Sequence, residues 1–469
     1  MSTAVFVCGD WPPLAVTTPD VVTIEGLCRD PGLLRDCDTG ADRAVVVLHD
    51  DSFDLPALQR TLRSISIDPL GAQLLGVGRD DDPSVLSYQI EGLKQRARAF
   101  TGSAPEHAKP VFSGAATRRG FLRPPTPAYV AAPQVDGSSC VADDGCSACV
   151  DICPQDAYLW SDGRISYDKD ACVPCGRCVT GCPVGAIKSP AATPAMIDAQ
   201  VRAVVDISGG SVGVRFVCSR GSVDAESGWA DISVPCTSMI PSSWHLACRL
   251  LGASCAKAVP CGDSGCPVGG DSLVIEANDI ARRVLTQTGF EVSTVAEEPH
   301  DDGAVFVGTN PFAQGSAADI ILALVASTGT DFTVESENAQ LGIVSIDGAT
   351  CTLCGQCAKV CPTNSLSESY FDDIISISFD AMACVNCSQC VAECPENERG
   401  AISVRGMVDT ARLDAGRIVL NEGTVARCEI CGGAFAPAAL MDRISDVLGE
   451  EFQDTVKLLE TRCLDCRGR

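Results

Sequence analysis

The chain has 469 residues, 29 of them cysteine, and its 61 acidic and 35 basic side chains give a formal net charge of −26. A surface this acidic argues against nucleic acid or an anionic membrane as a partner. The first residues lack the basic and apolar regions of a signal peptide, and no run approaches the roughly 18 apolar residues of a membrane span, so we expect no direct membrane insertion and a reducing, cytoplasmic location.

The first 100 residues alternate apolar runs with a helix-like segment. AVFV, VVTI, AVVVL and LLGVG predict short buried strands, and LPALQRTLRSI (55–65) predicts a helix, so residues 1–100 are interpreted as an α/β domain. Residues 101–135 are rich in Pro, Gly and Ala and are predicted to be a linker. Within the linker, TRRGFLR (117–123) resembles a twin-arginine export motif. It is not predicted to act as one, because it is not N-terminal and no apolar segment follows it.

Residues 136–195 hold two cysteine motifs. CVPCGRCVTGCP (172–183) has the C-x2-C-x2-C-x3-C-P spacing of bacterial ferredoxins with two [4Fe–4S] clusters, in which three close thiolates bind one cluster and the fourth binds the other. CVADDGCSACVDICP (140–154) has a longer first gap, and YLWSDGRISYD between the motifs predicts a hairpin. The spacing assigns one ligand set as Cys140, Cys146, Cys149 and Cys182, and the other as Cys153, Cys172, Cys175 and Cys178. The alternative for Cys140 is a free thiol beside a cluster bound by three thiolates.

Residues 196–310 return to an α/β pattern, with strands VGVRFV, ISV, AKAV and FEVSTV and the helix SLVIEANDIARRVLTQTG (272–289). Cys218, Cys236 and Cys261 each follow a predicted strand, and carboxyl ends of parallel strands meet at one sheet edge, so these thiols are expected to converge. Cys266 lies five residues beyond Cys261. Two further cysteines, within the apolar stretch WHLACRLLGASC, are predicted to be buried structural residues; they are Cys248 and Cys255.

The two α/β segments form a weak internal repeat. VFVCGD, TIEGLC and RAVVVLHDD parallel VRFVCSR, ISVPC and KAVPCGD, so that Cys8 corresponds to Cys218, Cys28 to Cys236, and His49 to Cys261. Asp54 stands near the position of Cys266, and Cys37 has no clear counterpart. Because a fourth ligand is missing, the N-terminal copy is predicted to be a structural domain without a cofactor.

A connecting segment, 311–345, contains IILALVA (320–326), which suits a buried helix. Residues 346–410 then repeat the regular ferredoxin motif twice, as CTLCGQCAKVCP (351–362) and CVNCSQCVAECP (384–395). The spacing assigns one cluster to Cys351, Cys354, Cys357 and Cys394, and the other to Cys361, Cys384, Cys387 and Cys390. Zinc is the alternative occupant. The best count for the whole chain is four [4Fe–4S] clusters.

The tail, residues 411–469, has two C-x2-C pairs separated by a helical stretch. Four cysteines in this pattern are typical of a closed, tetrahedral structural zinc site, and the tail is predicted to be a zinc ribbon. Its ligands would be Cys428, Cys431, Cys463 and Cys466. A rubredoxin-like iron, another cluster, and two free dithiols are the alternatives.

The middle domain resembles a known family. VRFVCSR, ISVPCTSMI, WHLACRLLGA, VPCGDSGCP and NDIARRVLTQTG are similar to segments of the delta (iron–sulfur) subunit of methyl-viologen-reducing hydrogenase, whose homologues accompany heterodisulfide reductases and formate dehydrogenases. The resemblance implies two Rossmann-like α/β domains, the N-terminal one degenerate. It also implies a [2Fe–2S] cluster in the middle domain, at positions matching Cys218, Cys236, Cys261 and Cys266. Four inert thiols near a sheet edge are the alternative.

The sequence lacks the motifs of several other activities. It contains no G-x-G-x-x-G or G-x-x-x-x-G-K-[ST] motif, and its four His residues (49, 107, 245 and 300) form no cluster, with His245 interpreted as a packed helix residue. We therefore expect an electron-transfer subunit of an oxidoreductase complex, with a formate dehydrogenase-, hydrogenase- or heterodisulfide reductase-like partner. The alternatives are a disulfide- or sulfur-reducing enzyme that uses the middle-domain cysteines, and an assembly or scaffold protein.

The acidic residues are mostly aspartate. The chain has 42 Asp but only 7 Lys, a composition similar to that of proteins from salt-loving microbes, where excess carboxylates keep the surface hydrated. An ordinary acidic electron-transfer protein is the alternative explanation.

Overall fold

The protein is described here from a computed structural model. The described residues are 2–10, 21–37, 39–49, 54–78, 83–103, 109–111, 126–128, 131–219, 226–261, 266, 268–289, 310–313, 317–448 and 453–467. The twin-arginine-like segment, the predicted strand FEVSTV, and His107 and His300 lie outside them. The chain forms two compact units: residues 1–139, 149–159 and 167–316 make the first, and residues 140–148, 160–166 and 317–469 make the second.

The described chain contains extended segments of 2 to 11 residues and helices of 4 to 17 residues. The strands are β1 (Thr3–Cys8), β2 (Val21–Ile24), β3 (Arg43–Leu48), β4 (Gln73–Gly76), β5 (Lys109–Val111), β6 (Thr126–Ala128), β7 (Gln134–Val135), β8 (Tyr158–Ser161), β9 (Arg164–Tyr167), β10 (Ile187–Lys188), β11 (Gly213–Cys218), β12 (Trp229–Val234), β13 (Ala256–Ala258), β14 (Thr333–Glu335), β15 (Gly342–Ile346), β16 (Leu366–Phe371), β17 (Ile374–Asp380), β18 (Ile402–Asp409), β19 (Arg417–Arg427) and β20 (Ala434–Pro437). The helices are α1 (Leu55–Ser64), α2 (Pro83–Arg98), α3 (Ala148–Asp151), α4 (Arg177–Gly181), α5 (Pro194–Ser208), α6 (Ser242–Leu250), α7 (Asp271–Gln287), α8 (Ala317–Thr328), α9 (Gln356–Lys359), α10 (Gln389–Ala392), α11 (Thr410–Asp414), α12 (Ala438–Leu448) and α13 (Gln453–Thr461).

In the first unit, the N-terminal domain is a four-stranded parallel sheet with the order β2-β1-β3-β4. All six residues of β1 are buried, as expected for a central parallel strand covered on both faces. Successive side chains of β1 and β3 lie on opposite faces of the sheet and belong to two separate apolar clusters. Helix α1 begins where the Asp54 carboxylate accepts the backbone N–H of Ala57 at 3.0 Å, with Pro56 in its first turn.

The middle domain repeats this arrangement. Its sheet is parallel with the order β12-β11-β13, the same order as β2-β1-β3. The internal repeat inferred from the sequence therefore has a structural counterpart. Helix α6 is buried along its whole length, and its His245 is 1% exposed, so this histidine is a packed residue as predicted.

The two α/β domains of the first unit are joined through a buried arginine. Helix α2 packs against α5, and Arg96 of α2 donates from Nη1 to Gln200 Oε1 at 2.8 Å and to the Ser233 carbonyl at 2.7 Å. Its Nη2 donates to the Ala191 carbonyl at 2.8 Å. These three hydrogen bonds of Arg96 therefore join the N-terminal domain to α5 and β12.

In the second unit, β15 pairs with β18, and β18 pairs with β14. A second sheet has the order β16-β17-β19-β20 and is antiparallel throughout. The long strand β19 of the tail thus extends the β16–β17 hairpin of the preceding cysteine-rich module. Helix α8 covers the predicted helix at 320–326. None of the helices in the described part of the chain has the length and apolar content needed to cross a bilayer.

Candidate metal centres

The second cysteine-rich module has two cavities, and each is lined by four cysteines. The first encloses about 350 Å³, including some open solvent, and contains Cys351, Cys354, Cys357 and Cys394. The second encloses about 320 Å³ on the same basis and contains Cys361, Cys384, Cys387 and Cys390. Each cavity therefore brings together three closely spaced cysteines of one motif and the fourth cysteine of the other motif. The rest of each lining is mainly apolar, with residues such as Leu353, Ile377 and Val344.

The two motif loops of this module turn in the same way. The third and fifth residues of each loop have left-handed backbone conformations: Leu353 and Gly355 in the first motif, at φ 54° and 72°, and Asn386 and Ser388 in the second, at φ 53° and 60°. Left-handed residues at these two places make the chain coil tightly, so that three thiols converge on one cavity. A short helix follows each loop, α9 and α10.

Several of the thiols that line these cavities are largely buried. Burial raises the pKa of Cys357 and of Cys390 to about 12, and that of Cys384 to about 11. Without a cation these groups are neutral thiols, and binding a metal or cluster requires release of their protons.

In the first cysteine-rich module, backbone N–H groups donate to two of the predicted ligand sulfurs. Ala157 N–H donates to Cys153 Sγ at 3.3 Å, and Ala186 N–H donates to Cys182 Sγ at 3.2 Å. In both cases the residue just before the donor is left-handed, with φ 48° at Asp156 and 65° at Gly185. This turn aims the amide back at the sulfur. Such bonds stabilise a thiolate and tune the potential of a bound cluster.

A tyrosine contacts a third sulfur of this module. The Tyr158 hydroxyl donates to Cys178 Sγ at 3.5 Å, and its ring stacks on Tyr167 with centroids 4.8 Å apart. Six of the eight predicted ligands belong to the first unit, while Cys140 and Cys146 belong to the second. The six are Cys149, Cys153, Cys172, Cys175, Cys178 and Cys182.

In the middle domain, Cys218 ends β11 and Cys236 follows β12, and both are buried. The hydrogen bond from the Cys218 thiol lowers the pKa of Cys236 to about 7. Cys261 follows β13, and Asp271 Oδ1 contacts both its N–H, at 3.2 Å, and its Sγ, at 3.8 Å. Among the described residues, no three of the four predicted cysteines gather as tightly as ligands of a single metal ion would.

The middle-domain cysteines lie against the first cysteine-rich module. Cys175, Cys236 and Val268 form one buried cluster, against which Cys266 packs. A second contact joins the same surfaces, because Thr180 Oγ1 of α4 donates to the Met239 carbonyl at 2.8 Å. A predicted cubane ligand and two predicted middle-domain ligands therefore occupy one packed region of the first unit.

The four cysteines of the tail come together. Their sulfur atoms all lie within 4.8 Å of one another, and Cys431 Sγ is 3.8 Å from Cys463 Sγ. A tetrahedral zinc ion with Zn–S bonds of about 2.3 Å places its sulfurs roughly 3.8 Å apart, so the group fits a zinc ion. The first pair occupies the turn between β19 and β20, and helices α12 and α13 separate it from the second pair. Hydrogen bonds led by that from the Cys431 backbone N–H lower the pKa of Cys428 to about 6.

The N-terminal domain contains a further group of candidate ligands. Cys8, Cys28 and His49 of the N-terminal domain bring their ligand atoms within 4.8 Å of one another. The internal repeat aligns His49 with Cys261, and the missing fourth ligand led to the expectation of a domain without a cofactor.

Comparison with known proteins identifies the cysteine-rich modules. Residues 131–186 and residues 350–398 each match the family model of a 4Fe-4S dicluster domain. The chain is 49% identical over 39 residues to an uncharacterised ferredoxin of Methanocaldococcus jannaschii, which covers 8% of this chain and 26% of that protein. It is 42% identical over 40 residues to a ferredoxin of Rickettsia felis, covering 8% of this chain and 37% of the relative. It is also 42% identical over 43 residues to the formate dehydrogenase iron–sulfur subunit of Wolinella succinogenes, covering 9% of this chain and 22% of the relative.

The aligned segments span between 22% and 37% of the length of these three relatives. The similarity therefore concerns ferredoxin-type modules. The chain is a mixed α/β protein that contains two 4Fe-4S dicluster domains of ferredoxin type, which imply about four [4Fe–4S] clusters and a role in electron transfer.

Proposed function

We propose that the protein is a cytoplasmic iron–sulfur electron-transfer subunit that carries electrons between a catalytic redox subunit and a second donor or acceptor. The observation that carries this proposal is the pair of cavities in the second module. Each is lined by the four cysteines that one cubane requires, three from one motif and one from the other.

Four ligand sets would hold the cubanes. The second module would use the two sets that line its cavities, and the first module would use Cys140, Cys146, Cys149 and Cys182 for one cluster and Cys153, Cys172, Cys175 and Cys178 for the other. Bound there, [4Fe–4S] clusters supply one-electron carriers. The chain contributes sulfur ligands, N–H donors that tune them, and an apolar lining that limits water.

Two contacts support an order for the ligand sets along the route. In the first unit, Cys236 and Cys266 of the middle domain pack with Cys175, so the middle-domain site adjoins the set that contains Cys175. In the second unit, Gln389 Nε2 donates to Ser147 Oγ at 3.5 Å. Ser147 follows Cys146 and Gln389 precedes Cys390, so this contact links loops of the two modules. We infer a route in which the middle-domain site exchanges electrons with the cluster whose ligands include Cys175, since both lie within the first unit.

At the start of this route we propose a [2Fe–2S] cluster bound by Cys218, Cys236, Cys261 and Cys266. The close Cys218–Cys236 pair suits ligands that share one iron, and the remaining pair would bind the other. In the tail we propose a structural zinc ion bound by Cys428, Cys431, Cys463 and Cys466, in keeping with their mutual distances. The zinc site would hold in place the tail, whose strands β19 and β20 complete the β16-β17-β19-β20 sheet.

The partner would be a redox enzyme of the formate dehydrogenase, hydrogenase or heterodisulfide reductase type. The resemblance of the middle domain to the hydrogenase delta subunit supports this class. So does the similarity of one segment to a formate dehydrogenase iron–sulfur subunit. A partner of this class should co-purify in a stable stoichiometric complex.

Anaerobic purification followed by iron and sulfide analysis tests the proposal. Four cubanes and one [2Fe–2S] cluster predict about 18 irons per chain, of which about 16 belong to cubanes. Fewer than about eight irons would rule it out. The alternative of a disulfide reductase requires an exposed thiolate, whereas Cys218 and Cys236 are 6% and 5% exposed. Alkylation that abolishes a disulfide-reducing activity of the reduced protein would favour that alternative.

A further inference from the structure

The N-terminal domain gathers two thiols and one imidazole at one edge of its sheet. Cys8 is the last residue of β1, Cys28 lies in the turn after β2, and His49 follows the end of β3. Because the three strands are parallel, all three residues come to the carboxyl edge of the sheet. The two sulfur atoms and one ring nitrogen lie within 4.8 Å of one another.

Backbone contacts hold the two cysteines in place. Gly9 N–H donates to the Ile24 carbonyl at 2.8 Å, which continues the β1–β2 pairing past Cys8. The Asp10 carboxylate accepts the N–H of Gly26 at 3.0 Å, so the loops after β1 and β2 are tied together. Gly26 is left-handed, with φ 75°, and turns the chain back toward Cys28, whose N–H then donates to Cys8 Sγ at 3.4 Å. The two cysteines are therefore positioned by contacts of the loops that carry them.

We propose that Cys8, Cys28 and His49 bind one zinc ion through three protein ligands and leave a fourth coordination position for water or a small exchangeable ligand. Two thiolates and a neutral imidazole neutralise a divalent cation, which suits an apolar setting where Cys8 and Cys28 are 2% and 4% exposed. Sulfur and nitrogen donors favour zinc over magnesium or calcium. Within the part of the chain that the structure describes, no fourth Cys, His, Asp or Glu joins the group.

The corresponding edge of the middle domain is different. There, no three of the four cysteines gather within such a short distance, and Cys261 is held by Asp271. The two sheets of the internal repeat therefore carry different sets of candidate ligands. A compact group of three donors suits a single ion, whereas the wider middle-domain set suits a two-iron cluster. His49 is half-buried, whereas Cys8 and Cys28 are buried.

Zinc and iron content of the anaerobically purified full-length protein tests the proposal. The wild-type chain should hold two zinc ions, one here and one in the tail. His49→Ala and Cys8→Ser should each reduce the count from two to one, and so should Cys431→Ser, through the tail site. The double variant His49→Ala/Cys431→Ser should hold none. Cys37→Ser, which changes a cysteine of the same domain outside the group, should retain both, with iron content unchanged in every variant.

A zinc count that stays at the wild-type value in His49→Ala and Cys8→Ser would overturn the proposal. His49 is less buried than Cys8 and Cys28, so its variant guards against the folding failure that replacing a buried cysteine can cause. In Cys431→Ser, the zinc X-ray absorption spectrum should show two sulfur and two nitrogen or oxygen neighbours. An all-sulfur shell, or a Cys8–Cys28 disulfide in the anaerobic protein, would also overturn it.

Discussion

Met239 covers Gly176 so closely that a Cβ at position 176 would lie 2.5 Å from the methionine sulfur. Gly176 is the residue after Cys175 and has φ 81°, a conformation that favours glycine, and an added Cβ would have to displace the buried Met239 side chain. The contact presses the motif loop of the first module against the middle domain, beside the Cys175–Cys236 contact.

Replacing this glycine should loosen the first module from the middle domain. Gly176→Ala carries about 1–2 kcal/mol of left-handed strain plus an overpacking cost of about 1–3 kcal/mol. Gly355→Ala is the matched control, because Gly355 has φ 72° but its added Cβ would meet only the flexible end of Glu368. Hydrogen–deuterium exchange should rise in peptides covering 172–183 and 236–244 in the first variant, and should remain at the wild-type rate there in the control. Equal exchange in both variants would contradict the packing argument.

Replacing one middle-domain ligand should remove one cluster and leave the cubanes. Cys266→Ser should lose about two irons and one distinct spectroscopic signal, because a [2Fe–2S] cluster needs all four ligands. Cys255→Ser is the control in the same domain and should retain every signal. The measurement is iron analysis with electron paramagnetic resonance of the reduced protein. Survival of all five signals in Cys266→Ser would show that the ligand assignment is wrong.

Removing a cation near the second module should lower the potential of one cubane. Arg443 of α12 donates to both carboxylate oxygens of Glu396 at 3.1 Å, and Glu396 lines the cavity that contains Cys394. Arg443→Ala removes a positive charge that offsets the Glu396 carboxylate. The cubane beside it then becomes harder to reduce, and its reduction potential should fall by tens of millivolts as an order of magnitude. A redox titration measures the shift. Arg443→Lys keeps the charge and should stay near the wild-type potential; an equal shift in both variants would point to a structural cause.

Removing zinc from the tail should free its C-terminal end. Chelation, or Cys431→Ser, should weaken the link between the β19–β20 turn and the chain after α13, which is otherwise held by contacts such as the 2.9 Å hydrogen bond from Glu429 N–H to the Thr461 carbonyl. We expect faster proteolysis within 428–467, while the second module keeps its iron. Limited proteolysis with mass spectrometry measures this. A cleavage pattern identical to that of the untreated protein would argue against a structural metal.

Breaking the buried arginine contact should destabilise the first unit. Arg96→Ala leaves Gln200 Oε1 and two carbonyl groups without their donor, and each buried acceptor left unsatisfied costs about 1–3 kcal/mol. Arg98→Ala changes an exposed arginine of the same helix and should stay within about 0.5 kcal/mol of wild type. Chemical unfolding followed by circular dichroism measures the difference. Similar midpoints for the two variants would contradict the role of Arg96.

The short-range features of the protein were predictable from sequence. Regular spacing indicated which cysteines share each cavity of the second module, and apolar periodicity indicated β1, β3, α1 and α7. Long-range packing was not predictable, because no local sequence pattern specifies which distant segments pair. Nothing around Arg96 reveals that its partners lie in α5 and β12, and nothing in the tail reveals that β19 pairs with β17. The repeat aligned Cys8, Cys28 and His49 with middle-domain cysteines, but no local spacing predicted how close these three residues lie, because they are separated by about 20 residues each.

The crossed lining of the two cavities has a consequence for how the second module matures. Cys361 follows Cys357 by four residues but lines the other cavity, and Cys394 and Cys390 are related in the same way. Inserting the first cubane immobilises the segment that carries the fourth ligand of the second. Loading should therefore be cooperative, with half-filled molecules scarce during assembly. The two clusters of the module would then be assembled, or lost, together as one pair of redox centres.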